Sequence, residues 1–160
     1  MNQDISFKNL KQVKPNVFRF LAPVKVIDSG LIEWLSDAAR LSHNQSARIC
    51  FHSQTSDACQ RMLVAISEGA GFSPHRQNKE SYVTYVMVKG LMRVCLHSIQ
   101  GNTTESFCIS ADNLHEKVNS VLELPANVYR SSKALTPTAV FFETCEGPFD
   151  DSMTEWLQTD

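Results

Sequence analysis

The chain has 160 residues, 42% of them hydrophobic and 20% charged, which fits one ordinary globular domain able to bury a substantial core. Its formal net charge of -2 gives no electrostatic basis for binding nucleic acid or an anionic membrane surface. No apolar run approaches the roughly 20 residues needed to cross a bilayer. Residues 17–27, the first apolar stretch, are broken by Arg19, Pro23 and Lys25 with no cleavage-site pattern behind them, so a cytoplasmic protein is expected.

Residues 1–27 read as an N-terminal extension, with candidate edge strands at 5–7 and 17–26 whose pairing is limited by Pro15 and Pro23. Lys8, Lys11, Lys14, Arg19 and Lys25 make this end basic, whereas residues 143–160 carry acids and no Lys or Arg. The two ends therefore either attract one another or form two separate solvated faces. Residues 29–42 predict the one clear helix, because Leu31, Leu35, Ala38 and Ala39 recur at helical spacing and Trp34 and Leu41 widen the stripe. Asp28 or Ser29 suits its N-cap, and Glu33 suits the positive end of its dipole.

After a polar loop at 42–46 the period changes to two. Strands are predicted at 47–52, 60–67, 81–89, 91–98, 105–110, 118–124 and 138–145, separated by turns such as Glu68-Gly69-Ala70-Gly71 and Gln100-Gly101-Asn102-Thr103. Short strands at nearly even spacing predict a mainly β sandwich or barrel, with the domain over 28–149 and an acidic tail over 150–160. Cys50, Cys59, Cys95, Cys108 and Cys145 form no Cys-x-x-Cys pair, and most sit in apolar strands. They read as free thiols in a reducing compartment.

The order of short motifs is more informative than any one of them. The predicted helix is followed by Arg48-Ile49-Cys50-Phe51-His52, then Asp57-Ala58-Cys59-Gln60-Arg61-Met62-Leu63. Next come Phe72-Ser73-Pro74-His75-Arg76-Gln77, a strand ending at Gly90, and Phe142-Glu143-Thr144-Cys145-Glu146-Gly147-Pro148-Phe149. From about Ile27 onward this order resembles the WbuC-type cupins, small bacterial proteins associated with O-antigen and other surface-polysaccharide gene clusters. The resemblance implies a double-stranded β-helix (the cupin jelly roll) with one N-terminal α-helix and a pocket inside the barrel.

In typical cupins a His-x-His pair, a nearby Glu and a later His hold a divalent metal, since alternate residues of one strand face the same side. The resemblance places His75 at the first ligand, Gln77 at the second and Arg130 at the late histidine. A Gln carbonyl is a poorer ligand for first-row metals than imidazole, and a guanidinium repels a cation. The family spacing, counted back from Gly90, puts the carboxylate at Val83. Glu80 lies an odd number of residues away and points to the other face unless an insertion after Gln77 restores it. No firmly held cofactor is therefore expected, and a divalent Fe, Zn, Ni or Mn ion at His75 and Gln77 is the alternative.

Arg48, His52, Arg61, His75, Gln77, Arg130 and Glu143 are the expected ligand-binding set. Arg forks suit carboxylate or phosphate, and Tyr82, Tyr85 or Tyr129 supplies a stacking surface, so the expected partner is a small anionic or sugar-like molecule. Plainer roles compete: pairing of Arg48 and Arg61 with acids such as Asp57 or Glu143, and a satisfied strand-end histidine at His52. His43 and His115 read as surface residues, and His97 as facing outward. Two further function classes remain open. One is a cupin enzyme, with a weakly held metal or with a His75, Glu143 and tyrosine set acting on a sugar nucleotide. The other is a dimeric scaffold using Phe141, Phe142, Phe149 and Trp156, which are otherwise core residues.

Overall fold

A computed structural model of the chain describes residues 9–112 and 119–158. The candidate strand at 5–7, His115, the first residue of the predicted strand 118–124 and the last two residues of the tail lie outside the described residues.

The predicted helix forms as α1 (Ser29–Leu41), and Asp28 caps it, its Oδ1 accepting from the Leu31 N–H at 2.8 Å. Glu33 takes a different role from the one expected of a dipole partner. It extends to Lys89 Nζ at 2.7 Å, tying the helix to the sheet beneath. In chain order the strands are β1 (Leu10–Lys14) and β2 (Val17–Phe20) before the helix, then β3 (Ser46–Cys50), β4 (Cys59–Ser67), β5 (Gly71–Gln77) and β6 (Tyr82–Lys89). They continue as β7 (Leu91–His97), β8 (Thr103–Ser110), β9 (Val121–Pro125), β10 (Tyr129–Ala134), β11 (Thr138–Glu146) and β12 (Thr154–Trp156).

These strands build two facing sheets, one ordered β1-β2-β3-β4-β11-β6-β9 and the other β12-β5-β10-β7-β8, which is the expected jelly roll. The central strands β3, β4 and β11 of the seven-stranded sheet are covered on both faces. Its outer face packs under α1, where Leu31, Leu35 and Ala39 meet Ile49, Leu63, Ala65 and Val140. Its inner face shares a second core with the other sheet, through Val64, Val83, Phe141, Met92, Val94 and Ile109. Burial on both sides explains why β4 and β11 read as near-continuous apolar runs. Gly90 makes the tight β6–β7 turn at φ +75°, and a Cβ there would meet the Thr138 carbonyl oxygen at 2.2 Å.

Strands β1, β5, β10 and β12 are absent from the alternation pattern. β10 reads Tyr-Arg-Ser-Ser-Lys-Ala, a mostly polar strand whose Arg130 lines a cavity while Ala134 joins the apolar core. The acidic tail is partly structured: β12 adds to the edge strand β5, pairing Thr154 with Gln77 and Trp156 with His75. The basic end is structured too, since the β1–β2 hairpin joins β3 in parallel, pairing Val17 with Arg48 and Arg19 with Cys50.

Leu35→Ala should cost about 2–5 kcal/mol by opening a cavity under the helix. Leu41→Ala on the same helix, where the side chain is 85% exposed, should change stability by less than ~0.5 kcal/mol. Urea denaturation of the two variants measures the difference.

Candidate functional site

Pro74 sets the local geometry of β5. It has no N–H for the ladder, and the pairing with β10 shifts register there, with Arg130 opposite His75 but Ser132 opposite Phe72. Phe72 and His75 consequently both turn into the barrel although they stand an odd three positions apart. The bulge also presents the Ser73 carbonyl to the His75 ring at 2.8 Å from Nδ1. The imidazole donates Nδ1–H to that oxygen, leaving Nε2 with its lone pair.

Ladder pairings then stack the inward side chains into two facing rows. One sheet lines up Arg19, Cys50, Met62, Glu143 and Tyr85 across β2, β3, β4, β11 and β6. The other lines up Trp156, His75 and Arg130 across β12, β5 and β10. Between the rows is a cavity of about 570 Å³, within the roughly 300–1,000 Å³ of ordinary ligand pockets. Lys14 from the basic end and Asp151 from the acidic end both line it, so the two ends meet at this cavity.

Arg130 is 2% exposed and bridges the sheets. Its Nε donates to Tyr85 Oη at 3.0 Å and its Nη1 to the Ala126 carbonyl at 3.1 Å. Burial, reinforced by the Arg130 charge and then by Arg48, lowers the His75 pKa to about 4 despite the hydrogen bond to Ser73. Burial raises Glu143 above the ordinary carboxylate range, with Arg130 and Arg48 opposing the rise. Burial pushes the Tyr85 phenol up to about 12 and the Cys145 thiol up to about 11.

Six of the seven residues expected at the site, Arg48, His52, His75, Gln77, Arg130 and Glu143, line the cavity. Arg61 is exposed and outside it, because strand alternation gives the inward face of β4 to Gln60, Met62 and Val64. Its contribution to the site is through its backbone: His52 Nδ1 sits 3.1 Å from both the N–H and the carbonyl oxygen of Arg61. Among the described residues neither Arg48 nor Arg61 forms an ion pair with Asp57 or Glu143; Arg48 lies over the Phe72 ring instead, at 5.8 Å. Of the three tyrosines, Tyr85 alone lines the cavity. Tyr82 is exposed, and Tyr129 faces outward, where its hydroxyl donates to Glu155 and Arg76 covers its ring. Phe141 and Phe142 belong to the two cores, while Phe149 and Trp156 line the cavity.

Arg19, Lys14, Phe72 and Trp156 were not in the expected set. Phe72 was accessible to sequence reading through Pro74, which implies a bulge. The other three reach the cavity through long-range strand pairing that leaves no local trace.

The donor set does not fit a divalent metal. His75 Nε2 and the Gln77 carbonyl face the cavity, but Arg130 stands at the late-histidine position and Val83 is buried in the apolar core where the carboxylate would be. Glu80 is exposed. Among the described residues no group of three or more His, Cys, Asp or Glu side chains is placed to hold an ion.

Protein purified without chelator should therefore carry substoichiometric Fe, Zn, Ni and Mn by elemental analysis, and a chelator should leave its Tm unchanged. His75 gives a pH test. Its folded pKa of about 4 lies below the ordinary 6.5, so between these values the unfolded chain binds more protons and stability is lost as pH falls through that window. His75→Gln should flatten the stability–pH curve there, and curves that stay parallel would remove the case for a buried neutral imidazole.

Among the described residues no helix is long and apolar enough to cross a membrane. The fold is similar to that of several solved proteins. KdgF from Halomonas sp. is 17% identical, with a TM-score of 0.51 over 71% of this chain and 88% of that one. CapF, solved with the inhibitor 3-isopropenyl-tropolone, is 16% identical, with a TM-score of 0.59 over 74% of this chain and 33% of that one. Oxalate oxidase in complex with the substrate analogue glycolate is 11% identical, with a TM-score of 0.53 over 73% and 57%. The chain thus spans less than two thirds of the latter two structures. At these identities the likeness concerns the fold, which is that of the cupins. No curated protein matches the chain in sequence. Residues 27–109, covering the helix, the β5 bulge and the first half of the barrel, match one family profile, and the chain belongs to that family, described as Domain of unknown function (DUF6016).

Proposed function

We propose that this protein is a binding cupin whose barrel holds a small anionic, sugar-like molecule without a firmly held metal. One observation carries the reading: Arg19, Arg48 and Arg130 line a single cavity, and among the described residues none of them is in an ion pair. Cationic groups gathered this way favour a guest that brings its own negative charge, and guanidinium forks suit carboxylate or phosphate. Oxalate oxidase, similar in fold, was solved with the small carboxylate glycolate.

Acid–base catalysis by His75, Glu143 and a tyrosine is the weaker reading. A histidine with a pKa of about 4 is a poor proton acceptor, and Tyr85, pushed to about 12 and already accepting from Arg130, is a poor donor. The resemblance to WbuC-type cupins supports an accessory role in surface-polysaccharide metabolism, with the anion a sugar-derived metabolite of that chemistry.

Inorganic phosphate should raise the Tm above that in chloride of matched ionic strength, by about 2.7 kcal/mol of stability at a hundredfold excess over its Kd. Arg48→Gln, at a half-buried side chain that lies over the Phe72 ring and forms no ion pair among the described residues, should keep the fold and lose most of that increment. Equal responses to phosphate and chloride would end the anion reading.

A further inference from the structure

Two polar atoms buried at the cavity are left without partners, and they have opposite demands. Arg19 Nε is a donor with no acceptor, and Gln77 Oε1 is an acceptor with no donor. Gln77 is only 7% exposed, and its backbone N–H anchors it to the barrel wall by donating to the Ala126 carbonyl at 2.8 Å. Buried polar groups are almost always satisfied, so an orphan donor and an orphan acceptor lining one cavity describe the missing guest.

We infer that the guest is a hydroxylated anion, a sugar acid or sugar phosphate, whose acidic group accepts from Arg19 and whose hydroxyl donates to Gln77 Oε1. This rests on the anion-binding reading and adds the second half of the recognition. A simple anion satisfies Arg19 and leaves Gln77 unpaired, whereas a neutral sugar can hydrogen-bond both and leaves the positive charge of Arg19 uncompensated. The walls suit a ring with one apolar face: Phe72 and Trp156 flank His75, with the Trp156 ring 5.0 Å from the imidazole and 55% exposed.

Calorimetry with the full chain separates the components. Glucuronate and glucose 6-phosphate carry charge, hydroxyls and ring, cyclohexanecarboxylate lacks the hydroxyls, and glucose lacks the charge. Glucuronate or glucose 6-phosphate should bind at least about tenfold tighter than either partial ligand, the size expected when a buried acceptor gains its donor; the tighter of the two identifies the acidic group. In Gln77→Leu the advantage over cyclohexanecarboxylate should shrink to within about threefold while cyclohexanecarboxylate itself binds as before. Arg19→Gln should weaken every anion together and preserve the ratio. Equal affinity for glucuronate and cyclohexanecarboxylate in the native chain, or a ratio untouched by Gln77→Leu, overturns the hydroxyl assignment while leaving anion binding intact. If no charged ligand binds, both fall.

Discussion

The Arg130 guanidinium, sealed between the two sheets and hydrogen-bonded to Tyr85 across them, organises the interior of this barrel. Burying a full charge costs several kcal/mol unless its donors are met. Here the Tyr85 hydroxyl and the Ala126 carbonyl meet two of them, which locks β10 of one sheet against β6 of the other. Its electrostatic reach is wider than its contacts: the same charge helps keep His75 neutral and opposes the rise in the Glu143 pKa. A fixed cation at the cavity wall is incompatible with a divalent ion a few ångströms away and favourable to an anion. This side chain therefore gives the cavity a positive wall where a cation would be repelled.

The chain ends complete the cavity. Neither the β1–β2 hairpin nor β12 is needed to close a two-sheet sandwich, yet each adds a strand at a sheet edge and each delivers side chains to the same space. Covering an edge removes a hazard of exposed ladder groups. Here it also places Arg19 and Lys14 opposite Asp151 and Trp156. The distribution of charge along the sequence, basic at one end and acidic at the other, finds its meaning in that convergence.

The interior row formed by Arg19, Cys50, Met62, Glu143 and Tyr85 mixes charge, sulfur and phenol within a few ladder steps, and such a row has little value for stability. The deep apolar core lies farther along β4, β6 and β11, around Val64, Met87 and Phe141, and on the facing strands β7 and β8, around Met92 and Ile109, and α1 supplies a second one on the outside. Apolar packing and the polar cavity thus occupy different parts of the barrel.

The sequence by itself determined the elements whose signal is local. Helical spacing located α1 and narrowed its cap to Asp28 or Ser29, two-residue alternation located the strands that face a core, and the family resemblance singled out His75, Gln77 and Arg130, which line one cavity. Tertiary structure decided what depends on partners distant in the chain. It turned Arg61 out and made its backbone the support of His52, gave Tyr85 to Arg130, and brought Arg19 and Trp156 to one cavity. The physical reason is that strand pairing is a long-range choice: a side chain's face follows from its own strand, but its neighbours follow from which strand lies alongside, and no local pattern of residues encodes that.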